Sequence, residues 1–373
     1  MKLLILSCNT GEGHHSAALA VQEALNARGV PNDIMDPLSS VGEATRKRVC
    51  ELYNSIIRNM PKAFGLIYRA GEFVDDALPG SPVYFANSLY ASRLLDCIRE
   101  GGYDGVISTH LYGMEAMTAI RRKLGVHVPN YGVLTDYTCI PFFSDVQLDG
   151  YFIPHRDLAA ELAEKGMDAR LLIPTGIPVS ERFAHALPQD EARRRLNLPE
   201  GKRVYLVMTG GVGCGNVSEI CDGLRAGDDS DFLACVLTGR NEELRAELAE
   251  RYRGEPRVRP VEFTREVSVY MNAADVLITK PGGLSSTEAA AARVPLVHWI
   301  TIPGCEERNA DFFSARGMSV QTRSPGEAAS LAVALARDPA ACAAMRKRQA
   351  EEINPYSARD AVGHVLAELE RRS

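Results

Sequence analysis

Residues Lys2–Ser16 read KLLILSCNTGEGHHS. Lys2–Ser7 is a run of strand length whose middle, Leu3–Leu6, is wholly apolar. Gly11 and Gly13 mark a tight turn in which backbone can approach a ligand closely. From Ser16 to Arg28, Ala, Leu and Val recur on one stripe, which predicts a helix. A strand that passes through a glycine turn into a helix opens a doubly wound α/β domain, and the helix start offers its positive end to an anion.

The same alternation continues outward. Further strands are predicted at Asn32–Asp36, Gly105–Ser108, Asn130–Leu134, Gly150–Ile153 and Arg170–Ile173, with helical patterns such as Leu158–Lys165 between them. Ile173–Pro188, with Pro174, Gly176, Pro178 and Pro188, reads as a linker. A second series follows: strands at Val204–Thr209, Phe232–Thr238, Val258–Val261, Val276–Thr279 and Leu296–Trp299, a helix over Ala328–Glu352, a break at Pro355 and a last helix over Ala358–Arg371. Apolar strands between helices imply parallel sheets covered on both faces. The expected fold is two Rossmann-like doubly wound parallel-sheet domains facing a central cleft, 1–175 and 176–355, with ligands at the carboxyl ends of strands.

With 373 residues, the chain is long enough for two such cores. The formal net charge of −6 argues against wholesale nucleic-acid binding. Nine dispersed cysteines, none in C-x-x-C spacing, fit a reducing cytosol and carry no metal-ligand pattern. Met1–Cys8 is too short for a signal core, and no segment approaches the roughly 18 apolar residues of a membrane span. Membrane contact is therefore expected to be peripheral, at the inner face of the cell membrane.

Several turns carry chemistry. In Ser7–Ser16, the spacing Gly11-x-Gly13-x-x-Ser16 with Asp36 about 20 residues on is close to a dinucleotide fingerprint, so an NAD(P)-dependent oxidoreductase is one reading. Against it, Ser16 replaces the third glycine, and the turn holds His14 and His15. An imidazole suits a turn that takes a proton from an attacking hydroxyl, which makes His14 the candidate base. Asp136, after the Asn130–Leu134 strand, is placed to orient an acceptor or a histidine. Thr279–Glu288 reads TKPGGLSSTE: Gly282 and Gly283 open a helix whose amides at Leu284–Ser286, with the hydroxyls of Ser285 and Ser286, form a phosphate cradle. Glu288, one turn on, suits both hydroxyls of a ribose. Thr209–Asn216, TGGVGCGN, is a second glycine turn, with Gly211 and Gly213 allowing close approach to phosphates or to the opposing domain. Pro303–Asn309, PGCEERN, brings acids and an amide that suit sugar hydroxyls. Between Ala44 and Ala70, six basic residues face one acid, Glu51, and alternate with large apolar residues. In an acidic chain, that stretch reads as an amphipathic surface for anionic lipid.

Taken in order, Leu3–Ala18 (LLILSCNTGEGHHSAA), Leu134–Tyr137 with Gly150–Pro154 and Thr175–Val179, Ile278–Ala289 (ITKPGGLSSTEA) and Pro303–Ala310 (PGCEERNA) resemble the monogalactosyldiacylglycerol synthase and processive diacylglycerol glucosyltransferase family. The resemblance covers almost the whole chain. It implies the GT-B glycosyltransferase fold, a final helix (356–373) crossing back to the first domain, and an inverting transfer from a UDP-sugar to a lipid acceptor, diacylglycerol, without metal or other cofactor. It implies that His14 is the base or an acceptor-site group, Glu288 the ribose acid, and Gly282, Gly283, Leu284 and Ser285 the diphosphate loop. Phe263 falls in the region contacting uracil, and Glu306, Glu307 and Asn309 in the sugar-recognition loop. Cys305 stands where the family often has glutamine, and His15 where arginine is common. A UDP-sugar epimerase on the same plan and a non-catalytic nucleotide-sugar sensor are the other readings of these motifs.

Overall fold

Apolar strands between helices need cover on both faces, and the computed structural model of this chain builds that arrangement twice. The structure describes residues 1–8, 12–42, 82–209, 216–227, 231–300 and 304–372. The chain divides into two units, Met1–Glu181 with Tyr356–Ser373, and Arg182–Pro355. The sequence places this boundary at 175/176. The structure moves it later because Ser180 Oγ donates to Glu23 at 2.6 Å and the Ile177 carbonyl accepts from Ser357 Oγ at 2.6 Å, which ties the linker's first half to the first unit.

The first unit contains β1 (Leu3–Leu6), α1 (Glu12–Ala27), β2 (Asn32–Met35), α2 (Pro82–Ser88), α3 (Ala91–Glu100), β3 (Gly105–Ser108), α4 (Leu111–Leu124), β4 (Asn130–Val133), β5 (Gly150–Phe152), α5 (Ala159–Glu164) and β6 (Leu172–Ile173). Its strands run in the order β2-β1-β3-β4-β5-β6, all parallel. The chain leaves β1 for β2 on one side and reaches β3 on the other. The topological switch point therefore lies between the carboxyl ends of β1 and β3. Helix α1 begins at Glu12, earlier than the predicted Ser16, so Gly13 and His14 lie in its first turn. The last strand is cut to two residues because Asp168 caps a 3-10 turn over Ala169–Leu171.

The second unit holds α6 (Gln189–Arg195), β7 (Arg203–Met208), α7 (Val217–Ala226), β8 (Phe232–Leu237), α8 (Glu242–Arg251), β9 (Val258–Val261), α9 (Val267–Ala273), β10 (Val276–Thr279), α10 (Gly283–Ala291), β11 (Leu296–Trp299), α11 (Cys305–Ala315), β12 (Val320–Thr322), α12 (Pro325–Ala336) and α13 (Pro339–Glu352). Its strand order, β12-β11-β10-β7-β8-β9, is the Rossmann order, and the switch point lies between β7 and β10. The single helix predicted over Ala328–Glu352 is two, because Pro339 starts a new helix behind Asp338, whose side chain caps Ala341 N at 2.9 Å. Strand β12 was not predicted; it has three residues, too few to show a period.

Helix α14 (Ser357–Arg372) returns to the first unit. Its Ala361, Val362, Val365 and Leu369 are buried with Leu3, Ile5, Val21, Leu25, Ile107 and Phe152 in one apolar core. Leu369→Ala should lower stability by about 2–4 kcal/mol, read as an earlier urea midpoint by circular dichroism. An unchanged midpoint would mean that α14 adds nothing to that core.

Candidate functional site

In the first unit, the switch point is occupied by histidines. His14 Nδ1 lies 2.8 Å from the Thr109 carbonyl oxygen and 3.1 Å from Thr135 Oγ1. A carbonyl only accepts, so Nδ1 carries the proton, and in the neutral ring the Nε2 lone pair is the basic site. Thr109 Oγ1 donates back to the His14 carbonyl at 3.0 Å, and Thr109 N donates to Leu6 O at 2.9 Å, so the imidazole is registered to the β1–β3 pairing. Burial holds the His14 pKa below the ordinary value, while the Asp136 carboxylate and the Thr109 hydrogen bond pull it upward. The ring is thus neutral near pH 7, with a nearby negative charge that favours the protonated form once it exists.

His110, which follows β3, packs edge-on against His14 with centroids 4.5 Å apart. Its Nδ1 accepts from Tyr112 N at 3.2 Å, capping α4, and burial pushes its pKa well down. Sequence reasoning missed it, although it lies two residues beyond a predicted strand end.

In the second unit, the switch point meets the start of α10. Its N-cap is Gly282, and no side chain caps the helix. The first-turn amides of a helix have no intrahelical partner, so this end can accept an anion. A Cβ placed on Gly282 would meet nothing within 4 Å, so the space before the helix is open. Ser285 is partly exposed there and Leu284 is buried. Ser286 departs from the predicted cradle. It is fully buried, its amide donates to Gly282 O, and its hydroxyl lies 3.0 Å from His298 Nε2. His298 Nδ1 in turn lies 3.1 Å from Ser319 Oγ. Its position one turn into the helix, on the face toward the sheet, makes Ser286 a pin rather than a phosphate ligand.

The predicted sugar loop is likewise engaged with the protein. Glu306 pairs with Lys280 Nζ at 2.7 Å, and both side chains are largely buried. The fully buried Asn309 donates to the Pro281 carbonyl at 3.1 Å. These two contacts brace the loop ahead of α10. Glu307 pairs with Arg323.

On the far side, Phe263 follows β9 and is 46% exposed, with the Arg240 guanidinium carbon 4.5 Å from its ring centroid. Arg182 Nη1 donates to the Arg265 carbonyl at 3.4 Å, and its charge acts on Glu288. The sequence singled out neither arginine. Gly11, Gly211, Gly213 and the basic stretch over 44–70 lie outside the described residues.

Two Rossmann-type sheets, one with a base-form imidazole at its switch point and the other with an uncapped helix start and a carboxylate, define a fold of the GT-B plan. The comparisons agree. Residues 14–179 match the family described as monogalactosyldiacylglycerol (MGDG) synthase. The chain is 26% identical over 370 residues to the processive diacylglycerol beta-glucosyltransferase of Bacillus cereus (strain AH187), covering 98% of this chain and 94% of that one. In fold, it is similar to the glycotransferase of kitacinnamycin (TM-score 0.67, 16% identity, 99% of each chain). It is also similar to the UDP-GlcNAc 2-epimerase from Neisseria meningitidis bound to UDP-GlcNAc (TM-score 0.60, 13% identity, 100% of each chain). The chain is thus similar to the monogalactosyldiacylglycerol synthase family over residues 14–179, and over nearly its whole length to processive diacylglycerol beta-glucosyltransferases.

Burial raises the Glu288 pKa from 4.5 to about 7, with Arg182 pulling the other way. The folded chain therefore holds an extra proton between those values, and its stability falls as pH rises through that window. Glu288→Gln should remove this slope and gain on the order of 1–3 kcal/mol over the native chain at pH 8 relative to pH 4.5, measured by urea unfolding. Identical pH profiles for the two proteins would place the Glu288 pKa at its ordinary value.

Proposed function

We propose that the chain transfers a hexosyl group from a UDP-sugar to the hydroxyl of a lipid acceptor, diacylglycerol, with inversion and without a metal. The observation that carries this reading is the tautomer of His14, whose Nε2 is left basic at a switch point. The donor's diphosphate rests on the first-turn amides of α10, which meet the charge of the leaving group, and Glu288 accepts from the ribose hydroxyls. The acceptor oxygen attacks the anomeric carbon from the side opposite the diphosphate. The bond from that carbon to the diphosphate oxygen breaks, UDP leaves with the electron pair, and the hydroxyl proton passes to His14 Nε2. Asp136 favours the imidazolium so formed. The acceptor class is supported by the names of the family and of the Bacillus relative.

The decisive experiment incubates the protein with UDP-glucose, UDP-galactose or UDP-N-acetylglucosamine, with and without diacylglycerol vesicles, and follows UDP and glycolipid by mass spectrometry. Acceptor-dependent glycolipid is expected. Conversion of the UDP-sugar without acceptor would favour the epimerase reading instead. His14→Ala should cut kcat by about 10²-fold or more while leaving UDP affinity intact, since the donor residues belong to the other unit. Near-native turnover in the folded variant would remove His14 from the base role.

A membrane-borne acceptor requires a docking surface, and one feature of the first unit supports it. No single described helix is long and apolar enough to cross a membrane. Phe85 and Leu89, at the end of α2, are 55% and 83% exposed, and Leu124, at the end of α4, is 42% exposed. Lys123 Nζ sits 5.5 and 5.6 Å from the Tyr84 and Phe85 ring centroids, with Arg122 beside Tyr84. Exposed apolar side chains flanked by cations suit an anionic bilayer surface at the inner face of the cell membrane. The double substitution Phe85→Ser with Leu89→Ser should weaken co-sedimentation with phosphatidylglycerol vesicles roughly tenfold or more. Unchanged binding would rule out this face.

A further inference from the structure

We infer that His110 is a positioning residue for the base of the first unit: its ring is the wall that fixes the direction in which His14 Nε2 presents its lone pair. This role rests on the reading of His14 as the base and falls on a residue that no motif singles out. The described hydrogen bonds hold the His14 ring at one atom, Nδ1, through the Thr109 carbonyl and Thr135 Oγ1. A ring anchored at one atom can still rock about it, and Nε2, across the ring, moves with that rocking. His110 adds a contact independent of those bonds. Its ring lies 4.5 Å from that of His14, centroid to centroid, and nearly perpendicular to it at 77°. Anchor and wall are neighbours in the chain, because His110 directly follows Thr109.

The wall is itself fixed. His110 is buried, its Nδ1 accepts from Tyr112 N at 3.2 Å, and its ring packs edge-on against that of Tyr112 with centroids 4.4 Å apart. The Tyr112 carbonyl lies 3.3 Å from Tyr90 Oη, which donates to Asn87 Oδ1 at 2.6 Å. Asn87 Nδ2, on α2, donates in turn to the fully buried Glu115 of α4 at 2.5 Å. The turn that carries His110 is thus tied to two helices. A backbone amide only donates, so Nδ1 of His110 is unprotonated and the proton of the neutral ring sits on Nε2. Protonating Nδ1 would break the cap of α4 and set a cation against His14. Burial and the charge of His14 both hold His110 in its neutral form. Among the described residues, the titratable groups acting on His14 therefore divide. Asp136, after β4, favours the imidazolium, and His110 stays neutral and does not oppose it.

The test compares the full native chain with His110→Asn and His110→Phe. It reads kcat, KM and the acid limb of kcat against pH, with the UDP-sugar turned over and diacylglycerol vesicles. A second measurement, without substrate, follows the His14 ring by long-range proton–nitrogen NMR of histidine-labelled protein, assigned by the signal lost in His14→Ala. Asn keeps an acceptor for Tyr112 N but removes the ring. His110→Asn should leave the KM for the UDP-sugar unchanged and lower kcat roughly tenfold, since a loosened base is less often in line. Water reaching the imidazole should move the acid limb and the His14 titration upward by roughly half a unit to one unit. His110→Phe keeps a ring but no acceptor. It should melt earlier through the lost cap, yet recover several-fold of the turnover that His110→Asn loses. Native kcat and a native acid limb in His110→Asn would overturn the role, because His110 would then serve only as a cap. A folded His110→Phe as slow as His110→Asn would overturn it too, because a ring nitrogen and not the wall would then matter. A native protein that makes no glycolipid would overturn the reading of His14 as base, while the substrate-free titration would still show whether His110 holds its ring.

Discussion

The carbonyl of Thr109 has no proton to give, and that fact orders the chemistry of the first unit. Its contact with His14 puts the proton on Nδ1 and leaves the other ring nitrogen basic. The contact is set by sheet register. Leu6 lies opposite Ser108, Thr109 continues the ladder by bonding to Leu6, and its hydroxyl returns to the backbone of His14. A slip of one residue in that pairing would turn the carbonyl away and release the tautomer. The orientation of one imidazole is therefore a property of two parallel strands.

The start of α10 is built differently. Helices α7, α8, α12 and α13 are capped by the side chains of Asn216, Asn241, Ser324 and Asp338. Helix α10 starts on a glycine with no such cap, as α11 does, and open space lies before it. What the helix lacks in a cap it gains in bracing. The Lys280–Glu306 pair and the Asn309 amide fix the loop ahead of it, and the Ser286–His298–Ser319 chain pins its second turn to the sheet. Amides held this rigidly keep a fixed orientation.

Much of this was written in local pattern. Short runs rich in Val, Ile and Leu between turn residues set β3, β9, β10 and β11 at their observed limits. The helix start at Gly282 and Gly283 was legible too, since a glycine pair between a strand and an apolar helix marks the turn. What was not legible depends on facing. Ser285 and Ser286 are chemically identical in sequence, yet the helix turns one toward solvent and the other into the core. Arg182, Arg240 and His110 carry no motif and become visible only when tertiary structure brings them to Glu288, Phe263 and His14. The break between α12 and α13 was missed although Pro339 announces it, because the apolar pattern continues across the gap.

Helix α14 separates the order of synthesis from the order of completion. Everything from Arg182 to Pro355 is translated before the segment that supplies Ala361, Val362, Val365 and Leu369 to the first unit. The second sheet has all its strands by then, while the first still shows an uncovered apolar face. A ribosome-bound chain thus completes its second sheet while the apolar face of its first is still bare.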